Sequence, residues 1–359
     1  MKEIIKALSR LGFDPALQTL IEPHYLQQDQ VARVCTVDKE RYIIQNSKST
    51  VTATLTGKMR FAAESALDLP TTGDWVIAQV FDDDSVAVIH QVLSRKSLLK
   101  RKSAGKAVEH QLIAANIDVA CIVQSLDRNF NINRLQRYLA MVYEGGITPL
   151  VLLSKRDLLT QAQIATKTDT VGKLYPDLQV LPFSNSIDDD VQNLKKQFDP
   201  GKTYCLLGSS GVGKTTLLNN LLGTQQYETG EVREKDGRGR HTTSRRQLIH
   251  LDNGAMLIDT PGMRELGALE MNEGITHTFE DIALLAEQCR FNDCSHQHET
   301  GCAVLQALEK GEISEQYYQN YIKMQKEAAH HERTYLEKRQ RDKEFGKLYK
   351  RIMKHKIKK

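Results

Sequence analysis

Apolar and polar positions follow two different periods along this chain. Residues 4–11 space apolar side chains helically and predict one short amphipathic helix, whereas the stretch around Pro15 and Pro23 has no readable period. From residue 31 the pattern changes to short β-branched runs. These fall at residues 31–37, 41–46, 50–55, 74–81 and 85–93, separated by turn-rich segments such as Pro70-Thr71-Thr72-Gly73. Five strands in so little chain fit a small closed barrel, and the oligonucleotide-binding (OB) barrel is the commonest five-stranded form. Such a barrel either binds nucleic acid on one face and its adjoining loops or only packs against its neighbour.

Beyond residue 110 strands alternate with a helix. Residues 119–126 are apolar and bounded by Asp127, residues 133–143 have helical spacing and stop at Gly145-Gly146, and further buried strands are predicted at 149–153, 180–183 and 204–207. This alternation predicts a parallel α/β sheet. The longest mostly apolar stretch, residues 117–126, is about half what a membrane-crossing helix needs, and no basic segment leads into an apolar run at the N-terminus. The chain is therefore expected to be soluble and unprocessed, with no membrane partner.

Charge sharpens this picture through its distribution. The 359 residues carry a net charge of +4, too little by itself to indicate an anionic partner. Residues 323–359 hold 14 Lys and Arg against 5 Asp and Glu, so a tail at +9 leaves the rest of the chain at −5. Residues 95–106 add a second basic concentration, with 6 Lys and Arg among 12 residues and no acid. Residues 315–359 read as one long charged helix whose last turns are cationic. Such a run is usually a solvated face, but beside an OB barrel an RNA phosphate backbone explains it more economically. Tyr317, Tyr318, Tyr321, Tyr335 and Tyr349 on that helix can stack on bases or pack against neighbouring helices.

The most specific chemistry lies at Gly208-Ser209-Ser210-Gly211-Val212-Gly213-Lys214-Thr215, a full phosphate-loop pattern with a predicted strand before it and a predicted helix, residues 216–222, after it. Glycines let the backbone curl so that successive N–H groups point at a phosphate, and the helix N-terminus adds its positive end. Lys214 is placed to bridge the β- and γ-phosphates, and Thr215 to put its hydroxyl on Mg²⁺. Downstream, a strand at 255–258 ends in Asp259-Thr260-Pro261-Gly262. Asp259 there suits the metal side of the nucleotide through a water, and the Gly262 N–H suits the γ-phosphate. Between them lies the glycine-rich, basic segment Gly237-Arg238-Gly239-Arg240-His241-Thr242-Thr243. A threonine here, Thr243 or its neighbour Thr242, can close onto Mg²⁺ and the γ-phosphate as an order–disorder switch.

Guanine offers two adjacent donors, so one carboxylate can accept both, whereas adenine has no such pair. Asp157 in Ser154-Lys155-Arg156-Asp157, directly after the 149–153 strand, suits that role, with the Lys155 stem covering the base plane. Phe183-Ser184-Asn185 is the matching backbone loop at the end of the next strand. Lys-x-Asp alone is a weak pattern, and its position carries the weight. Both base-reading elements precede the phosphate loop, an order expected if the domain is circularly permuted.

Three of the six cysteines fall within residues 289–302. Cys289, Cys294 and Cys302 with one histidine make a closed tetrahedral donor set for a structural Zn²⁺, with no position left for a catalytic water. On spacing alone the histidine is His296 or His298. Clustering of this kind indicates metal in a reducing compartment rather than a disulfide scaffold.

These residues together resemble the RsgA family of circularly permuted, ribosome-dependent GTPases, over nearly the whole chain. The most specific elements are residues 208–216, Gly239-Arg240-His241-Thr242-Thr243, Asp259-Thr260-Pro261-Gly262 and the cysteine–histidine pattern. The resemblance implies a multi-domain chain. An N-terminal segment and OB-type β-barrel would occupy residues 1–94, a basic linker 95–110, a circularly permuted α/β P-loop GTPase 111–270, and a mostly helical zinc-binding module with the basic helix 271–359. It selects His296 over His298 as the fourth zinc ligand. It places Ser154, Lys155, Arg156, Asp157, Ser184, Asn185, residues 208–216, Asp259 and Gly262 at GTP, with Thr216 closing the phosphate loop and Thr215, Thr243 and Asp259 at Mg²⁺. Ser154 stands where asparagine is usual and keeps a hydroxyl with a shorter reach. The implied function is GTP hydrolysis stimulated by the small ribosomal subunit during late maturation of that subunit. Its partners would be the subunit with its rRNA and GTP or GDP, in the cytoplasm, with the chain a monomer.

Met263 occupies the position where many small GTPases carry a water-orienting glutamine, so slow intrinsic turnover is expected. His241 is the candidate replacement, to be ordered by a partner; otherwise it is a solvated histidine in a basic loop. Catalysis is thus assigned to Lys214, Thr243 and His241. Gly211 stands where cation-dependent GTPases commonly have asparagine, so potassium activation is not expected. A second function from a different class is an RNA-binding assembly scaffold in which nucleotide only sets conformation.

Overall fold

The computed structural model of the chain describes residues 1–38, 41–81, 85–102, 110–224, 227, 246–259 and 271–329. The chain forms two compact units, Met1–Lys100 with Gln111–Leu266, and Arg101–His110 with Gly267–Lys359.

The first unit begins with three short helices, α1 (Lys2–Arg10), α2 (Pro15–Thr19) and α3 (Pro23–Gln27). The uninterpreted prolines open α2 and α3: each supplies the fixed φ of a first helical residue, where the missing N–H is not needed. Leu8, Phe13, Leu17 and Leu26 from this segment share a core with Val31, Trp75 and Ile77. The barrel follows as β1 (Val31–Asp38), β2 (Arg41–Gln45), β3 (Thr50–Leu55), the helix α4 (Gly57–Ala62), β4 (Trp75–Phe81) and β5 (Val86–Val92). Its order is β1-β2-β3-β5-β4, closed by β4 on β1, with β3 and β5 parallel and the other pairs antiparallel. Alternation along the strands sends Ile44, Val51, Ala53, Val76 and Ile89 into the barrel core. The five predicted strands and the OB-type closure are both present.

Of the segment expected to be a basic linker, residues 95–102 and 110 are described. It contains β6 (Leu98–Lys102), which pairs with β7 (His110–Ala115). Two of its cations are paired: Arg95 forms a two-bond pair with the buried Asp74, at 2.8 Å for each bond, and the half-exposed Lys96 pairs with Asp118 at 2.6 Å.

The α/β part runs β8 (Val119–Ser125), α5 (Ile132–Glu144), β9 (Thr148–Ser154), α6 (Gln161–Leu174), β10 (Val180–Pro182), α7 (Asp188–Lys195), β11 (Thr203–Leu207), α8 (Lys214–Leu222), β12 (Gln247–His250) and β13 (Met256–Asp259). The sheet order is β10-β9-β8-β11-β13-β12; the first five are parallel neighbours and β12 is antiparallel to β13. Near-continuous apolar runs suit strands covered on both faces. Cys121, Leu152, Leu206 and Leu257 share one core with Leu194 of α7 and Leu217 and Leu221 of α8. Their neighbours Ala120, Ile122, Val151 and Leu153 are equally buried and face the other way, as the two-residue period requires. α5 packs on β8 and β9.

Barrel and α/β sheet are continuous, because β1 pairs with β12 at Thr36 and Gln247. Beside this seam Arg33, only 1% exposed, ties three parts of the unit together. Its guanidinium donates to the carbonyls of Leu11, Gly73 and Asn116 and to Thr203 Oγ1, the last at 2.8 Å, and it lies over the Trp75 ring. Burial pulls its pKa down to about 10, partly offset by the field of nearby acidic groups, so it remains charged at neutral pH. Arg33→Ala strands those acceptors and empties a packed site. It is expected to cost about 3–5 kcal/mol, read as a lower denaturant midpoint of Trp75 fluorescence.

The second unit carries α9 (Asn272–Thr278), α10 (Glu280–Ala286), α11 (Ala303–Glu309) and α12 (residues 315–329). Tyr317, Tyr318 and Tyr321 of α12 are buried. Phe279 packs against Tyr317 and Tyr321 at centroid distances of 5.0 and 5.4 Å. These three tyrosines therefore pack helices and are not available to stack on bases. Tyr335, Tyr349 and the cationic turns at 330–359 lie outside the described residues.

Candidate functional site

The phosphate loop leaves β11 at Gly208 and enters α8 at Lys214. Gly208 has φ +147°, and a Cβ there would meet the Val123 carbonyl oxygen of the neighbouring strand at 2.3 Å. Gly213, at φ +91°, is the N-cap of α8, and a Cβ would strike Asn185 Nδ2 at 2.7 Å. Both positions need glycine because the loop presses against the elements that flank it. Val212 anchors the loop in the core, whereas Ser210, Gly211 and Thr215 are exposed, and Ser209, Gly213, Lys214 and Thr216 are half-buried. The Lys214 ammonium donates to the carbonyls of Gly208 and Ser209 at 2.8 and 2.7 Å, so it spans the mouth of the loop. Among the described residues, Ser209 Oγ is enclosed without a hydrogen-bond partner.

The base-reading candidates come from the ends of β9 and β10 and are fastened to this loop. Ser154 is fully buried, and its hydroxyl donates to the Val212 carbonyl at 2.7 Å. Asn185 Nδ2 donates to the Gly213 carbonyl at 3.1 Å, and Asn220 of α8 in turn donates to the Asn185 carbonyl at 3.0 Å. Lys155 takes a left-handed backbone with φ 62°, which turns the chain sharply after the strand. Its ammonium pairs with Asp127 at 3.0 Å, at the end of β8. Burial works to raise the Asp127 carboxyl, but the Asn129 N–H, Lys155 and Ser125 outweigh it and hold the group below its ordinary value. Asp157 is exposed, and Ser184 is buried. Asp259 is half-buried at the end of β13, opposite Gln247. Gly262, Met263, His241, Thr242 and Thr243 lie outside the described residues.

In the second unit the ligand atoms of Cys289, Cys294, His296 and Cys302 all lie within 4.8 Å of one another. His296 Nδ1 is 3.5 Å from both Cys289 Sγ and Cys302 Sγ, and the two sulfurs are 3.8 Å apart. A tetrahedral zinc with Zn–S of about 2.3 Å and Zn–N of about 2.0–2.1 Å separates its ligand atoms by about 3.5–3.8 Å. The donor set therefore fits such an ion and can hold it. His298 is not in the cluster. His296 takes a left-handed backbone with φ 58°, and its carbonyl accepts the Tyr318 hydroxyl at 2.6 Å. Glu299 accepts the Ser295 hydroxyl and the N–H groups of Ser295, Gln297 and His298 and shapes the loop; the Ser295 hydroxyl first, then the His298 and Ser295 N–H groups, hold its carboxyl well below the usual range.

Residues 92–269 match the family model described as RsgA GTPase. Small ribosomal subunit biogenesis GTPase RsgA 2 of Vibrio parahaemolyticus is 39% identical over 352 residues, covering 98% of this chain and 94% of the relative. The chain belongs to the RsgA family. RsgA 1 of Oceanobacillus iheyensis is 40% identical over 309 residues, 86% of this chain and 87% of the relative. Among solved structures, YjeQ from Thermotoga maritima is similar with a TM-score of 0.62 at 26% identity, over 82% of this chain and 96% of that one. YloQ, a circularly permuted GTPase, has a TM-score of 0.59 at 24% identity, over 82% and 94%, and shares the fold. This RsgA-family chain is a GTPase, and its strands β8, β9 and β10 precede the phosphate-loop strand as a permuted order demands.

In this RsgA-family chain Asp127, which in sequence marks only the end of a strand, and Asn220, Asp190 and Glu299 are functional contacts that the sequence does not single out. Their signal is faint: each is a common polar residue in a loop or a helix turn, and only tertiary proximity gives it a role.

Proposed function

We propose that the chain binds Mg-GTP at the loop of residues 208–216, hydrolyses it to GDP and phosphate when the small ribosomal subunit engages it, and assists late maturation of that subunit. The names of its relatives support the subunit as partner. The observation that carries the reading is the pair of hydrogen bonds from Ser154 to Val212 and from Asn185 to Gly213, which hold two base-side loops against the phosphate loop. Asp157 then accepts the two guanine donors, the Lys155 stem covers the base, and Ser184 and Asn185 face the guanine oxygen. Lys214 leaves the carbonyls of Gly208 and Ser209 for the β- and γ-phosphates. Thr215, Thr243 and Asp259 hold Mg²⁺, which when bound shares the triphosphate charge. The Gly262 N–H senses the γ-phosphate, and His241 orients the attacking water once the subunit orders its loop. Cys289, Cys294, His296 and Cys302 hold one structural zinc. The rRNA of the subunit is the partner of the cationic 323–359 tail, and the chain acts as a monomer in the cytoplasm.

The test is GTP hydrolysis with and without purified small subunits, with ATP as control. Subunits are expected to raise GTP turnover at least tenfold, on the scale of partner-supplied transition-state groups, and ATP is expected not to turn over. Hydrolysis of ATP would remove the role given to Asp157. Absence of stimulation would favour the RNA scaffold. His241→Ala is expected to lower the stimulated rate by about a hundredfold with GTP binding retained, and an unchanged stimulated rate would release His241 from the mechanism.

A further inference from the structure

Asp190 is the third residue of α7, and its side chain is 10% exposed. Its carboxylate joins the two base-side loops. Oδ1 accepts Arg156 Nη2 at 2.7 Å, while Oδ2 accepts both Arg156 Nε and the Ser184 N–H, the latter at 2.7 Å. The main chain repeats the junction, since the Arg156 N–H donates to the Phe183 carbonyl at 3.1 Å. Arg156 stands between Lys155, whose backbone is left-handed, and Asp157, which is exposed and so takes its orientation from the chain beneath it.

We propose that Asp190 is a positioning residue for guanine recognition, clamping the Lys155–Asp157 turn to the Ser184 loop so that the Asp157 carboxylate meets both donors of the base. This rests on the assignment of Asp157 as base reader given above. Two-bond guanidinium–carboxylate pairs fix geometry as well as charge. At an exposed site such a pair contributes little, but here the same carboxylate satisfies the N–H of Ser184, which is 1% exposed. Removing it strands a buried donor. Burial acts to raise the Asp190 carboxyl, yet Arg156 and the Ser184 N–H bring it below its ordinary value, so it is ionised at neutral pH. A role limited to complementing the dipole of α7 does not account for this geometry, because the exposed Asp188 and Asp189 on the same turn serve the dipole equally well.

The discriminating measurement compares GTP with inosine triphosphate, which lacks the 2-amino group and keeps the phosphates. Affinities for both are read by displacement of a fluorescent GDP from the full-length chain. In Asp190→Ala the GTP affinity is expected to fall about tenfold and the inosine triphosphate affinity by less than about threefold, which compresses the preference. Equal losses for both nucleotides, or an unchanged preference, would overturn the clamp. Asp190→Asn keeps an acceptor for Ser184 and loses the charge on Arg156. It is expected to compress the preference partway, and it reads the same ratio should the alanine variant fold poorly. Asp157→Asn separates the two ideas. If it removes the preference while both Asp190 variants retain it, only the clamp fails; if it retains the preference, the base-reading assignment itself is wrong.

Discussion

Lys214→Ala is expected to lower GTP hydrolysis at saturating Mg-GTP by about a hundredfold to a thousandfold, with little loss of stability. Lys214 opens α8, and its ammonium reaches the carbonyls of Gly208 and Ser209 across the loop. Those are neutral acceptors on a half-buried loop, so losing both bonds costs about 1 kcal/mol and moves the unfolding midpoint by about 2–4 °C. The chemical loss is larger. A cation held where phosphate charge develops contributes about 3–4 kcal/mol to the transition state, and each 1.36 kcal/mol is about a factor of ten in rate. Lys214→Arg is expected to fail as well, because a planar fork is wider than an ammonium and cannot enter the same curled backbone. The check is phosphate release beside a thermal melt. Turnover within about threefold of the parent would remove Lys214 from the reaction. A large drop in midpoint would mean that the lysine serves the fold.

The barrel and the α/β sheet were legible because their burial is local in sequence. On β2 and β3 buried and exposed side chains alternate, with Tyr42, Ile44, Val51 and Ala53 turned inward. The parallel strands are apolar on both faces, as β8 is from Ala120 to Val123. What stayed hidden depends on distant partners. β12 is four residues long, and its place next to β1 hangs on the single pairing of Thr36 with Gln247. The cationic stretch that leads into β6 reads as a basic linker because the acid that takes Arg95, Asp74, lies 21 residues away. Helices α2 and α3 span five residues each, too short for a helical period to register.

At the site, chemistry encoded in contiguous residues was readable and chemistry assembled from separate segments was not. Gly208 to Thr215 announces a phosphate loop, and Gly208 and Gly213 answer steric demands set by the strand and loop beside them. Serine at 154 had looked like a shortened asparagine. In the fold its reach is sufficient for the task its position provides, a 2.7 Å bond to the Val212 carbonyl. Asp190 gave no such signal. Three aspartates in a row mark a helix start, and nothing in their order says which one turns inward to Arg156. Tyr318 likewise reads as surface or core from sequence, and only the fold brings its hydroxyl to the His296 carbonyl.

Chelating the metal, or replacing Cys302 with serine, is expected to unfold the second unit beyond Thr276 while the first keeps its native signal. Three sulfurs and an imidazole nitrogen within 4.8 Å of one another leave little room for anything but an ion. Without one, ionised thiolates at 3.8 Å repel, and protonated ones lose the bonds that order residues 289–302. Apparent zinc binding of about 10–16 kcal/mol in small modules exceeds what four short helices can bury by themselves. The loop is also tied to the helical core through the Tyr318 hydroxyl on the His296 carbonyl, and Cys302 caps α11 by accepting the Leu305 N–H. Losing the ion should therefore release α11 and α12 together. The chain contains a single tryptophan, Trp75, fully buried in the first unit. Its emission should hold while the far-ultraviolet helical signal falls and about one zinc per chain appears in solution. His296→Ala should release the same zinc, and His298→Ala should retain it. A helical signal that survives chelation would show that packing of Phe279 against Tyr317 and Tyr321 suffices for the fold. Loss of the Trp75 signal in step with it would show that the ion stabilises the whole chain and not one unit.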